Sequence, residues 1–228
     1  GISKELLEIL ACPKCKGELA TAKDYNLMFT TAVGPEKTDN STAYLRPETA
    51  QLIFANFKLV QENARLKLPF GIAQIGKAFR NEISPRDFIF RTREFEQMEL
   101  EYFVDPKKTN DCPYIGGFMD YEMNVLSADM QESKKKPKMM SVRQLLATKT
   151  IKTQWQAYWL AFEHKWFADL GAKPENFRIR QHLDEEKSHY AVDTWDLEYN
   201  FPFGWKELQG MANRADFDLR QHINASKK

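Results

Sequence analysis

The feature that most constrains this chain is a pair of strand-like segments, residues 71–82 (GIAQIGKAFRNE) and 91–104 (RTREFEQMELEYFV). Alternate residues of a strand share a face, so the second segment sorts into two sets. Met98, Leu100 and Tyr102 form one, which is expected to face a core. Arg93, Phe95, Gln97, Glu99 and Glu101 form the other, and a mixture of aromatic and carboxylates is unusual for a plain solvent side. The intervening ISPRDFIF has the length of a hairpin loop.

Residues 2–10 have helical spacing and run into Cys12-Pro13-Lys14-Cys15, which has the form of a knuckle turn. Residues 26–31 predict a short strand, broken by Gly34-Pro35. A helix is expected to start at Arg46-Pro47-Glu48, with Leu52, Ile53, Phe57 and Val60 as its apolar stripe. Residues 105–154 look least regular, an insertion expected to be partly flexible. Trp155, Tyr158, Trp159, Phe162, Trp166 and Leu170 mark an amphipathic helix, stopped by Gly171 and Pro174. Residues 177–181, 191–199 and 205–211 read as further strands. Strands with long connections and clustered helices predict an α+β fold, a mainly antiparallel sheet flanked by helices.

The 228 residues suffice for a real core. A formal net charge of +1 gives no global electrostatic case for nucleic-acid binding. A local one exists at 134–153, with seven Lys/Arg and no Asp/Glu, which suits either RNA phosphates or a solvated loop. No apolar run approaches a membrane span, so no membrane partner is expected. Three cysteines make no disulfide framework, and a cytoplasmic location is the default expectation.

Several blocks carry a resemblance. Phe79-Arg80-Asn81-Glu82, with Arg91-Thr92-Arg93-Glu94-Phe95 on the returning strand, resembles motif 2 of the class II aminoacyl-tRNA synthetases. Residues 26–29, 45–51, 74–83, 93–99, 188–190, 203–205, 207–208 and 212–219 are together similar to the dimeric glycyl-tRNA synthetases. The resemblance spans roughly 12–105 and 155–222 and implies a class II catalytic core at 26–104 and 155–228. Residues 1–25 would then be an N-terminal helix and knuckle, and 105–154 the insertion.

The implied activity is ATP-dependent activation of glycine to glycyl-adenylate and its transfer to tRNA(Gly). Activation is an in-line attack of a carboxylate on the α-phosphate of ATP, so catalysis is orientation plus charge neutralisation. Arg80 matches the arginine bridging α-phosphate and amino-acid carboxylate, Phe95 the aromatic under adenine, and Glu82 the reader of its amino group. Arg91 would approach the phosphates, although Arg86 and Arg93 could exchange roles with it. Glu48 and Glu99 match ammonium-binding glutamates, and Arg214 an arginine for the carboxylate end. Glu48 in a first helical turn would also be explained by the helix dipole alone. Glu207 is the candidate contact to ATP or Mg2+. Cys12 and Cys15 make half of a zinc site, or simply a knuckle with two thiols.

His164 reads as a boundary residue, and His182 and His189 carry no assigned role. Motif 1, which builds the homodimer interface, and motif 3 are not found in the sequence. The chain is therefore expected to be an excised piece, a reduced core, or a truncated paralogue that binds glycine, adenylate or RNA without catalysis. Glu48, Arg80, Phe95, Glu99 and Arg214 are expected to converge on one cleft.

Overall fold

The computed structural model describes residues 11–12, 14–18, 25–36 and 38–226. The helix expected at 2–10, and so most of the 1–25 segment, lies outside them. The chain divides into two compact units, residues 1–51 with 73–100 and residues 52–72 with 101–228. The elements in chain order are β1 (Thr30–Ala32), β2 (Thr42–Tyr44), α1 (Ala50–Ala64), β3 (Phe70–Phe79), β4 (Glu94–Phe103), β5 (Glu122–Leu126) and α2 (Ala128–Glu132). There follow β6 (Lys138–Ser141), α3 (Val142–Ala147), α4 (Gln154–Asp169), β7 (Phe177–Gln181), β8 (Asp193–Phe201), β9 (Gly204–Asn213) and α5 (Phe217–Ser226).

In the first unit β1 and β2 pair antiparallel, with Thr30 opposite Tyr44. Asn81 fastens the 25–27 segment to the end of β3. Its amide N–H donates to Leu27 O, its side chain donates to Asn26 O, and its own carbonyl accepts from the Tyr25 hydroxyl. β3 and β4 form a two-stranded ladder. The face assignment on β4 is reversed at Met98 and Leu100 and kept at Tyr102, which packs on Trp155 and Trp159. Met98 and Leu100 are exposed, at 66% and 44%, whereas Phe95, Gln97 and Glu99 are half-buried. Thr49, directly before α1, is fully buried and bonds to Glu99, so the polar face of β4 is the packed one.

The helix begins at Ala50 rather than at 46–48, which takes Glu48 out of the first helical turn and removes the dipole explanation for it. Within the second unit the expected stripe holds at Ile53, Phe57 and Val60, while Leu52 is exposed and Phe54 is buried in its place. Phe54, Phe57 and Phe70 gather around Phe103, with ring centroids 4.5–6.0 Å apart.

The second unit holds a five-stranded sheet in the order β6-β5-β7-β8-β9, antiparallel except for the β5–β7 pair. The irregularity expected over 105–154 is corrected by this sheet, because β5 and β6 supply two of its strands. Ser141 caps α3 in a reciprocal capping box with Gln144. Met123, Val125, Ile179, Trp195 and Leu197 of the sheet pack with Leu160 and Ala161 of α4 as one buried core. α4 starts at a Thr153 cap and stops before Gly171, whose φ of 99° suits glycine. The other sheet face is polar: buried Asp196 pairs with His182 at 2.7 Å, and buried Glu198 pairs with Arg178. No helix among the described residues is long and apolar enough to cross a membrane. The expected α+β class with a mainly antiparallel sheet is the one observed.

Candidate active site

In the first unit the turn at 46–49 organises the side chains that the sequence singles out. Arg46 Nε donates to Lys77 O at 2.7 Å, and Phe79 N donates to Arg46 O at 2.9 Å, which docks the turn on β3. Gly76 leaves room for this guanidinium, since a Cβ there would lie 2.4 Å from Arg46 Nη2 and push that tip aside. Two residues further along the turn, Thr49 donates to Glu99 Oε2 from its amide (3.0 Å) and its hydroxyl. Glu99 is thereby fixed in orientation, with Oε1 not used by Thr49. Glu48 accepts from Gln51 Nε2 at 3.0 Å.

Arg80 follows directly on β3, and its amide donates to Arg93 O across the pair. Its guanidinium lies over the Phe95 ring, 5.3 Å from the centroid, and Nε reaches Pro47 O at 3.4 Å. A planar cation is thus held against an aromatic face with donors to spare. Arg91 Nη1 stands 4.0 Å from Glu82 Oε2, whereas Arg93 spends its Nε on the Glu82 carbonyl. Arg86 and Arg91 exchange backbone hydrogen bonds across the loop, where Asp87 and Phe88 take positive φ. Of the three arginines, Arg91 is the one beside the Glu82 carboxylate. Gln97 was given no role from the sequence, yet its Oε1 is buried without a partner between Phe95 and Glu99 on β4. Strand alternation alone could have flagged it.

In the second unit Arg214 follows β9. Its Nε and Nη2 make a fork to Asp218 at 2.7 and 2.8 Å. Its Cζ lies 3.8 Å from the Tyr190 ring centroid and 5.1 Å from that of Phe54. Burial works against this cation, but the Asp218 carboxylate, helped by Glu101, holds its pKa above the ordinary value. Glu207 is exposed on β9, where its Oε1 would be 3.0 Å from a Cβ placed on Gly210. His164, expected at the boundary, is instead buried in the core against Phe177 and bonded to the Tyr121 hydroxyl at 2.7 Å.

Cys12 and Cys15 sit in a tight turn closed by Lys16 N to Cys12 O and Cys12 N to Gly17 O. Backbone N–H groups of Cys15 and Lys14, with the Cys15 thiol, pull the Cys12 pKa down. Two thiols are half of what structural zinc takes. Among the described residues no group of three or more metal-ligating side chains gathers.

The profile of the tRNA synthetase class II core domain (G, H, P, S and T) matches residues 29–204. The chain belongs to the class II tRNA synthetase core family. This class II core is 47% identical over 216 residues to a glycine–tRNA ligase of Caldanaerobacter subterraneus subsp. tengcongensis. It is 46% identical over 220 residues to the enzyme of that name from Acetivibrio thermocellus, and 44% over 218 to that from Geobacillus kaustophilus. The alignments cover 94–96% of this chain and 38% of each relative. The chain thus spans well under half the length of the curated relatives it matches.

Proposed function

We propose that this segment supports ATP-dependent activation of glycine to glycyl-adenylate and its transfer to tRNA(Gly) in a cytoplasmic, homodimeric synthetase. The observation that carries the reading is the Arg80 guanidinium held over Phe95 on paired strands, with Glu99 fixed on the same strand as Phe95. In activation one glycine carboxylate oxygen attacks the α-phosphorus as the bond to pyrophosphate breaks. Arg80 would bridge both anions and stabilise the charge that builds in flight. Adenine would stack on the Phe95 face opposite Arg80, with Glu82 reading its amino group and Arg91 near the phosphates. Glu48 and Glu99 would hold the glycine ammonium, and Arg214 its carboxylate.

Mg2+ suits a site with one or two carboxylates, and Glu207 is the group offered to it; when bound it would neutralise phosphate charge. Zinc on Cys12 and Cys15 would need further donors. The 105–154 stretch would be an insertion in the class II core.

Glycine-dependent pyrophosphate–ATP exchange by the full-length protein carrying this segment tests the reading. Exchange with another amino acid but not glycine would overturn the specificity. No exchange with retained binding of an adenylate analogue would point instead to a non-catalytic binding module. Phe95→Ala should raise the KM for ATP, because base–aromatic stacking contributes about 1–3 kcal/mol. Its KM for glycine should move far less, and equal effects on both would argue against adenine at this ring.

A further inference from the structure

Arg214 is held more completely than substrate binding alone requires, and the means lie in the turn that follows it. Ala215 takes a left-handed φ of 49°, and its amide donates to Asn213 Oδ1 at 3.1 Å. Phe217 N returns to Arg214 O at 3.3 Å, and α5 starts at once. This sharp exit puts Asp218 four residues from Arg214 and within reach of its Nε–Nη2 edge. Both side chains are largely enclosed, at 15% and 17% exposure, so the fork is not a solvated surface pair.

Tyr190 closes one flat side of the guanidinium at 3.8 Å, and Phe54 lies 5.1 Å from it. Tyr190 is itself backed by Phe217 and His189, at 6.3 and 5.3 Å between centroids. A free arginine side chain carries about 2 kcal/mol of rotamer entropy. Here the fork and the ring have already removed it, and Asp218 leaves both Nη1 donors and the second Nη2 hydrogen unused.

We propose that Asp218 and Tyr190 are positioning residues that aim the Nη1 edge of Arg214 at the carboxylate of the amino-acid substrate. The inference rests on the assignment of Arg214 made under the proposed function. Asp218 neutralises Arg214, and the Glu101 carboxylate adds negative potential beside it, so a zwitterion is recognised by hydrogen-bond direction rather than by net charge. Recognition by direction is lost once the guanidinium can swing. A misplacement of about 1 Å can cost on the order of a hundredfold.

The test uses the full-length protein carrying this segment, with exchange kinetics at varied glycine and varied ATP. Asp218→Asn should raise the KM for glycine by about 10- to 100-fold and leave the KM for ATP nearly unchanged, with some loss of Tm because the enclosed guanidinium keeps only a neutral partner. Asp218→Glu should recover part of the loss. Tyr190→Leu should raise the same KM, and the ring-preserving Tyr190→Phe should lose far less. On an Arg214→Ala background, Asp218→Asn should add nothing further.

If glycine and ATP dependences worsen together with a lower Tm, Asp218 is structural and the proposal is overturned. A large effect of Arg214→Ala beside a silent Asp218→Asn would also overturn positioning while leaving Arg214 its role. An Arg214→Ala variant with unchanged glycine dependence would remove that role, and the positioning with it. Should Asp218→Asn not fold, the Tyr190→Leu and Tyr190→Phe pair decides by the same split.

Discussion

Replacing Arg80 by alanine should lower glycine-dependent exchange by about a hundred- to a thousandfold, or ~2.7–4 kcal/mol of transition-state stabilisation. The effect should fall on kcat more than on either KM, because the guanidinium matters most when charge builds on the α-phosphate oxygens. Arg80→Lys should recover little, since an ammonium lacks the planar fork and does not lie flat on the Phe95 ring. Arg80 is exposed, and its side-chain hydrogen bond to Pro47 O is long at 3.4 Å, so the Tm should barely change. Exchange rates that survive Arg80→Ala would show that the α-phosphate is not bound here.

The second large effect is on stability and lies on α4, where two neighbours titrate abnormally in opposite senses. Burial pushes Glu163 up from 4.5 to about 8, opposed in part by a hydrogen bond with Gln209. Burial pulls His164 down from 6.5 to about 4. The fold binds the Glu163 proton more tightly than the unfolded chain does, so its contribution is lost as pH rises from about 4.5 through about 8. His164 behaves oppositely, and its contribution is lost as pH falls from about 6.5 towards 4. The two slopes offset one another between about 4.5 and 6.5, and above that Glu163 acts alone.

Glu163→Gln keeps the shape and the partner but cannot ionise. Each tenfold difference in proton affinity between folded and unfolded chain is worth about 1.4 kcal/mol, so the variant should gain on the order of a few kcal/mol over the parent at pH 8.5 and little at pH 4.5. Denaturant unfolding of both proteins across this range measures it. A variant that is no more stable at pH 8.5 than its parent would mean that Glu163 ionises freely in the fold.

Some of this architecture was legible from residue spacing, and the exceptions share a cause. The tryptophan-rich helix and the two long strands announced themselves because their periods persist over ten residues or more. β5 and β6 did not, being five and four residues long, and β6 enters through a lysine-rich stretch. Their strand character comes from partners distant in sequence, such as Val125 opposite Ile179. The inverted faces of β4 teach a related lesson. Met98 and Leu100 looked like core by hydrophobicity, yet the opposite face is packed, because Glu99 is covered by Thr49 and Phe95 by Arg80. Where the polar side of a strand is the covered one, hydrophobic ranking points the wrong way.

Among the residues proposed for the site, those with chemistry of their own were singled out from the sequence: Arg80, Phe95, Glu99 and Arg214. Their supports were not, since Thr49, Asp218 and Tyr190 act only through a neighbour that folding supplies. Glu48 was placed on a helix that in fact begins two residues later.

Gly76 shows how a residue can matter for what it lacks. It offers nothing to a substrate, yet any side chain would strike the Arg46 guanidinium, whose Nε is already committed to Lys77 O. To yield, the guanidinium tip would have to swing aside and strain the bond from Nε to Lys77 O, one of the two that dock the turn from which Pro47 O meets Arg80 and Thr49 meets Glu99. In a saturation library scored for growth, a penalty at position 76 would tempt a geneticist to draw it into the proposed site. The map of essential positions and the map of chemistry would part here, at a residue whose one hydrogen atom leaves room for a bend in the chain.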